Sequence, residues 1–383
     1  MFIDSFKQHF ETVADPRQSA KVTYPFFDIL FGTLCAVIAG ARGWFDIREY
    51  LLGHHKWFLE LGMFKAGIPA DDTIARTISA IKPEQFQTCF LDWMASVHTL
   101  TQGELIAIDG KTLRGSYNRE DRNSTIHMVS AYATANKLVL GQLKTDKKSN
   151  EITAIPELLK LLDLRGALVS IDAMACQTKI AKTIIEQNGD YLLAVKGNQG
   201  NLSKSVQHAF SALRNDASSL AALQTEKKHG RIESRLCQVL DASTLEGNFS
   251  RWKGLKTLAM ITSFRTEKSK PLSLEYRYYI SSKIMSAEQV ASAVREHWSI
   301  ESMHWVLDVS MQEDACPIYK DHAAENLACL RHLALNMLRA EPTKLSIAGK
   351  QKRCWMKTEH LEKVLIAGLS ISIQGESMKA LAA

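Results

Sequence analysis

A chain of 383 residues, 46% hydrophobic and 23% charged, has room for two or three structural units and a sizeable core. Its formal net charge of +6 permits a nucleic-acid partner without demanding one. The seven cysteines (Cys35, Cys89, Cys176, Cys237, Cys316, Cys329, Cys354) form no Cys-x-x-Cys pair, which argues against a zinc or disulfide framework and for a reducing compartment.

The opening "MFIDSFKQHF" carries charges and lacks a signal-peptide pattern. The most apolar run, "ILFGTLCAVIAGA" at residues 29–41, is only 13 residues long, too short to cross a bilayer. A soluble, cytoplasmic protein is expected. Residues 1–100 read as helices and as an accessory domain. "YPFFDILFGTLCAVIAGARGW" is an apolar helix and its exit, and "FDIREYLLGHHKWFLELG" is amphipathic and ends at glycine. "PADDTIARTISAI" begins with a cap candidate in Asp71 or Asp72, and "KPEQFQTCFLDWMASVHTL" has proline in its first turn.

The pattern changes at "ELIAIDG" (104–110), a short apolar run stopped by Asp-Gly, which predicts a buried strand. "TIHMVSAYATANKLVLGQLKT" reads as two strands joined near Ala135-Asn136, and "NEITAIPELLKLLDL" as a helix. "GALVSIDAMA" is a second buried strand ending in aspartate. A helix ending at Gly189 and the strand "DYLLAVKGNQG" follow. A β-rich insertion at 200–283 then precedes one long helix that contains Glu301. The tail, 341–383, carries the basic "KQKRCWMK", which suits nucleic acid, although short charge runs are usually solvated. The order predicts an α/β domain over 101–340.

Glu301 sits in "REHWSIESMHWVLD" between two tryptophans and two histidines. At about 100° per residue, Val294, Trp298, Glu301 and Trp305 share a face that is expected to point inward. A lone buried carboxylate is costly unless paired or metal-bound. Two strands end in aspartate, Asp109 and Asp172, and functional groups gather outside strand ends in open sheets. If those strands are parallel neighbours, Glu301 completes a trio of hard oxygen ligands suited to two Mg²⁺ or Mn²⁺ ions. Such a site performs in-line displacement at a phosphodiester. Taken singly, each aspartate is as readily a turn residue, and Glu301 more readily an ion-pair partner of an arginine than a metal ligand.

Other residues carry weaker signals. Lys111 and Arg114 follow Asp109 directly and suit phosphate contact. Lys196, Asn198 and Gln199 end the next strand, and Arg231 and Arg235 alternate along the insertion, where a solvated strand face is the plainer reading. His297 and His304 flank Glu301 and could support metal ligands. Packing in the core is the plainer reading for both, and for Trp298 and Trp305. Asp308 is the rival third ligand. "ESMH" also fits the Glu-x-x-His of a di-iron bundle, but its only companion is "EKKH" at 226–229.

Long stretches of this sequence resemble the insertion-sequence DDE transposases, specifically the H-repeat-associated branch. They are "IAIDGKTLRGS", "VSIDAMACQTKIA", "YLLAVKGNQ", "HGRIESR", "REHWSIESMHWVLDVSMQEDA" and "DHAAENLACLRHLALNMLR". "DPRQSAKVTYPFFDIL" and "WFDIREY" resemble the branch's associated N-terminal domain. The resemblance implies an α/β, RNase H-like mixed sheet flanked by helices, with Asp109, Asp172 and Glu301 as the catalytic, metal-binding trio. It implies DNA as partner, both element terminal inverted repeats and target. It also implies a homodimer assembled on DNA and a bacterial, nucleoid-associated setting. Many broader relatives carry tyrosine, arginine and lysine where this chain has Val294, His297 and Asp308, so the DNA contacts of those three residues do not carry over. A Mg²⁺-dependent nuclease, or a DNA-binding relic without catalysis, are the other readings.

Overall fold

The computed structural model describes residues 2–97, 103–121, 124–145, 151–212, 221–228, 231–245, 247, 249–267 and 273–369. Six helices open the chain: α1 (Phe2–Phe10), α2 (Phe26–Ile38), α3 (Trp44–Gly53), α4 (His55–Glu60), α5 (Asp71–Ala80) and α6 (Pro83–Val97). Helix α2 is apolar on every side, and residues 28–38 are all buried, as such a helix requires. The long amphipathic stretch after it is two helices rather than one. The break falls at His54, whose backbone leaves the helical region and whose ring Nδ1 lies 2.9 Å from the Tyr50 carbonyl.

Strands β1 (Leu105–Leu113), β2 (Ile126–Ala133) and β3 (Leu138–Lys144) form an antiparallel meander, turned near Lys137 in the left-handed region. Helix α7 (Glu151–Lys160), strand β4 (Leu168–Ile171), helix α8 (Thr178–Glu186) and strand β5 (Asp190–Val195) follow, with β1, β4 and β5 parallel. The insertion contributes α9 (Gly200–Ala212) and strands β6 (Ala221–Lys228), β7 (Arg231–Asp241), β8 (Thr257–Glu267) and β9 (Ser273–Ser281). It does not form a separate body. β9 pairs antiparallel with β5, so nine strands make one mixed sheet in the order β3-β2-β1-β4-β5-β9-β8-β7-β6.

The chain ends in α10 (Ala287–His297), α11 (Ser299–Val309), α12 (Ala323–Ala340), α13 (Ile347–Met356) and α14 (Thr358–Leu369). This is the RNase H-like mixed sheet flanked by helices that the sequence implied. One face packs α7, α8 and α9 through Ile106, Ile108, Val169, Ile171 and Leu193. The other face meets α10, α11 and α12. Helices α12 and α14 share a core with the N-terminal helices. Within "KQKRCWMK", Lys350 is buried. It donates to the Leu338 carbonyl at 2.7 Å and pairs with Glu341 at 3.1 Å, so it caps α12.

Candidate active site

Strand alternation decides where the aspartates point. On β1, Ile106 and Ile108 face α7 and α8, so Asp109 faces α10 and α11. On β4, Val169 and Ile171 face the same helices, and Asp172 therefore projects with Asp109. The parallel register pairs Ile108 with Ile171, which sets the two aspartates side by side at the carboxyl ends of their strands. Asp172 also caps the turn after β4, accepting from the Met174 N–H at 2.5 Å. Two other residues pin that turn. Asn198 donates to the Ala173 carbonyl at 2.7 Å and Gln199 to the Cys176 carbonyl at 2.8 Å.

The expected inward face around Glu301 is corrected by the structure. There are two helices, with the junction at Trp298. The buried stripe of α11 is Ile300, Met303, His304 and Leu307, at helical spacing. Trp298, Glu301 and Trp305 lie on the solvent side, with the tryptophans 44% and 62% exposed. Glu301 therefore carries no burial cost that a metal ion would have to offset. It stands in the first turn of α11, where the helix dipole favours negative charge. Its carboxylate opens into a cavity of about 210 Å³ that Asp109, Asp172, Lys196 and His297 also line.

Electrostatics single out Asp109. Burial pushes its carboxyl up to about 7, and neighbouring Glu151, Asp172 and Glu301 add to the push against a Gly110 N–H that lowers it. Its nearest basic partner, His304 Nδ1 at 3.6 Å, offers no charge, because burial drives that imidazole down to about 3. A half-buried acid surrounded by acids and lacking a cation suits divalent ions with oxygen ligands. Among the described residues, no three His, Cys, Asp or Glu side chains are gathered closely enough to hold a metal ion as they stand. The trio thus shares one cavity but is not drawn into a coordinating cage.

Glu151 was not singled out by sequence. It lies below Gly110, where a Cβ would fall 2.0 Å from its Oε1, and it bonds His127 Nε2 at 2.7 Å. The only local signal is the glycine after Asp109. The di-iron alternative fails here, because Glu226 of "EKKH" lies on strand β6 rather than on a facing helix.

Residues 100–337, which hold all three carboxylates, match the family described as Transposase DDE domain, and residues 7–94 match the one described as DDE_Tnp_1-associated. The chain belongs to the DDE transposase family. It is similar to "H repeat-associated putative transposase YhhI" of Escherichia coli, 44% identical over 97% of this chain and 100% of the relative. A second Escherichia coli relative, "Putative transposase YncI", is 45% identical over 99% of both chains. Among solved structures it resembles a piggyBac transposase synaptic complex with hairpin DNA. That match has a TM-score of 0.45 and 11% identity over 95% of this chain and 81% of the other.

The transposase's expected DNA-contact cations divide into several kinds. Lys111 is mostly buried, and its ammonium is held by Asp308 and by Glu313 at 2.5 Å, so it faces protein rather than phosphate. Burial works against its charge, but Glu313 and Asp308 outweigh that and raise its pKa. Glu313 titrates low despite burial, because Lys111 opposes it, whereas burial leaves Asp308 raised even beside Lys111. Asp308 is thus a partner of Lys111, not a rival metal ligand. Arg114 is 82% exposed with its side chain 3.5 Å from Asp314, and Lys196 lines the cavity of the three carboxylates. Gln199 holds the Asp172 turn. Arg235 pairs with Glu233 at 2.7 Å, and the side chain of Arg231 lies outside the described residues. His297 Nδ1 meets Ser170 Oγ at 2.8 Å and so ties the end of α10 to β4. No helix among the described residues is long and apolar enough to cross a membrane.

The buried histidines set a pH response. His332 and His304, held down by burial to about 4 and about 3, contribute stability that is full above 6.5 and lost as pH falls. Asp109, raised to about 7, has the opposite sign: its contribution is full below 3.8 and lost as pH rises through about 7. Between about pH 6 and pH 5 the two histidines pull toward lower stability while the one aspartate opposes them. The chelated protein should therefore lose stability on acidification across this range. Denaturant midpoints at pH 6 and pH 5 check this. The slope should flatten in His332→Gln, and a flat parent profile contradicts it.

Proposed function

We propose that this chain cuts DNA at the ends of its element by divalent-metal-dependent hydrolysis and joins the freed 3′-hydroxyl to target DNA. The observation that carries the reading is the shared cavity of Asp109, Asp172 and Glu301, with the Asp109 carboxyl pushed up to about 7 by burial and, beyond that, by the neighbouring acids. Those three residues are the proposed ligands of Mg²⁺ or Mn²⁺. Bound there, the ions supply activation of the attacking oxygen and stabilisation of the leaving oxygen.

The chain's own residues position and neutralise. His297 fixes α10 against β4 beside Asp172, and His304 sets α11 against Asp109. Lys196 and Arg114 offer charge to the phosphates that flank the scissile bond. We assign residues 1–100 as an accessory helical domain, 101–340 as the catalytic domain and 341–383 as a tail. The working form is a homodimer on paired element ends.

The test uses purified protein, Mg²⁺ and DNA carrying the inverted repeats that flank its own coding region. Pre-cut ends should be joined to a target plasmid, and chelation should abolish joining. Cutting without joining would make the protein a nuclease. Binding without either reaction would make it a relic.

A further inference from the structure

A second and larger concavity, of about 820 Å³, lies between the insertion strands and helices α10 and α11. Its floor is one face of the sheet. Arg235 on β7, Arg265 on β8 and Arg277 on β9 rise from three adjacent strands, and Arg295 reaches in from α10. Against these four arginines stand two lining glutamates, Glu233 and Glu275. The groove runs into the catalytic cavity, because Glu275, Arg277, Tyr279, Val294 and Trp298 line both.

We propose that this groove is the channel in which one unpaired DNA strand reaches the catalytic carboxylates, an inference that rests on the strand-cutting function proposed above. Its size is of the order that encloses a small ligand, about 300–1,000 Å³, which accepts a short run of single-stranded nucleotides and excludes a duplex. The arginines are pre-set for phosphate. Glu275 holds Arg277 at 2.9 Å through Nε, Glu233 holds Arg235 at 2.7 Å, and Glu226 holds Arg295. The Arg277–Glu275 pair is forked and uses two of the five N–H donors of the guanidinium, and the other two pairs are single contacts, so each arginine keeps donors for a second oxygen ligand. At the junction with the catalytic cavity, the Arg277 guanidinium lies 5.2 Å from the ring of Trp298, which is 44% exposed. Cations tracking a backbone beside an exposed aromatic surface are the chemistry that takes single strands without regard to sequence.

The experiment measures binding alone. Full-length Asp109→Asn protein in chelator is titrated by fluorescence anisotropy, over a range of salt, with a short labelled single strand and with a blunt duplex of the same sequence. The single strand is expected to bind with a steep salt dependence. The double variant Arg265→Ala with Arg277→Ala should lose about tenfold in affinity per arginine. Its log–log salt slope should fall by roughly 0.7 for each. Arg265→Gln with Arg295→Gln, two exposed positions, repeats the measurement with side chains that retain hydrogen bonding. Arg165→Ala, on a surface turn where Arg165 pairs only with Asp163, should leave affinity and slope unchanged. The proposal is overturned if both double variants match the parent, if Arg165→Ala matches them, or if only the duplex binds. Because no cleavage is read, a failure of the catalytic assignment and a failure of the channel remain distinguishable.

Discussion

Asp109→Ala and Glu301→Ala are each expected to lower strand cleavage about a thousandfold or more, with DNA binding close to parental. The two variants remove different parts of one device. Asp109 is the half-buried member whose proton affinity burial and then the surrounding acids raise, and Glu301 is the solvent-side member in the first turn of α11. Neither supports packing. The Asp109 contact within 4 Å is a neutral imidazole, and replacing the aspartate relieves repulsion from Glu151 and Asp172. Loss of activity through unfolding is therefore not expected. A separate readout confirms folding: Mg²⁺ should raise the melting temperature of the parent in proportion to ln(1 + [Mg²⁺]/Kd) and leave both variants unmoved. Cleavage within tenfold of the parent by either variant removes that residue from the trio.

The second large effect is structural. Lys111→Met should cost roughly 3–5 kcal/mol, because it leaves Glu313 buried without its cation. Glu313 is 3% exposed, and Lys111 is its hydrogen-bond partner at 2.5 Å. Adding Glu313→Gln to Lys111→Met should restore much of the loss, since a neutral amide tolerates the site better than an unpaired charge. Urea unfolding of the two variants reads the difference. An unchanged midpoint together with weaker, sequence-independent DNA binding would return Lys111 to the phosphate-contact role that its place after Asp109 suggests.

That pair of residues shows where sequence reading stops. Asp109 and Asp172 were legible, because a four-residue apolar run that ends in aspartate is a local pattern and its parity follows from strand geometry. Lys111 read as a phosphate contact, and its pairing with Asp308 and Glu313 was not legible, because those partners lie about two hundred residues away. The face of Glu301 was misread for a different reason. The bulk of Trp298 and Trp305 dominated a wheel drawn through one continuous helix, whereas the chain breaks at Trp298 and resets the phase. Ile300, Met303, His304 and Leu307 held the true stripe in smaller residues. Three of the four extra strands were legible as strands, whereas β6, rich in lysine and glutamate, reads as a polar stretch. Their pairing with β5 was not, since register between distant segments is set by packing rather than by local propensity. Glu151 reaches the site through space left by Gly110, a relation that no linear motif displays.

The insertion is hydrogen-bonded strand by strand to the sheet that carries the aspartates, with no linker between them. A continuous ladder resists bending, so the arginine floor and the acidic pocket keep a constant separation. The molecule behaves as a ruler whose gradations cannot slide. Under the proposed strand-cutting function, where a nucleic acid is cut would then follow from how far the strand is threaded rather than from an internal clamp closing.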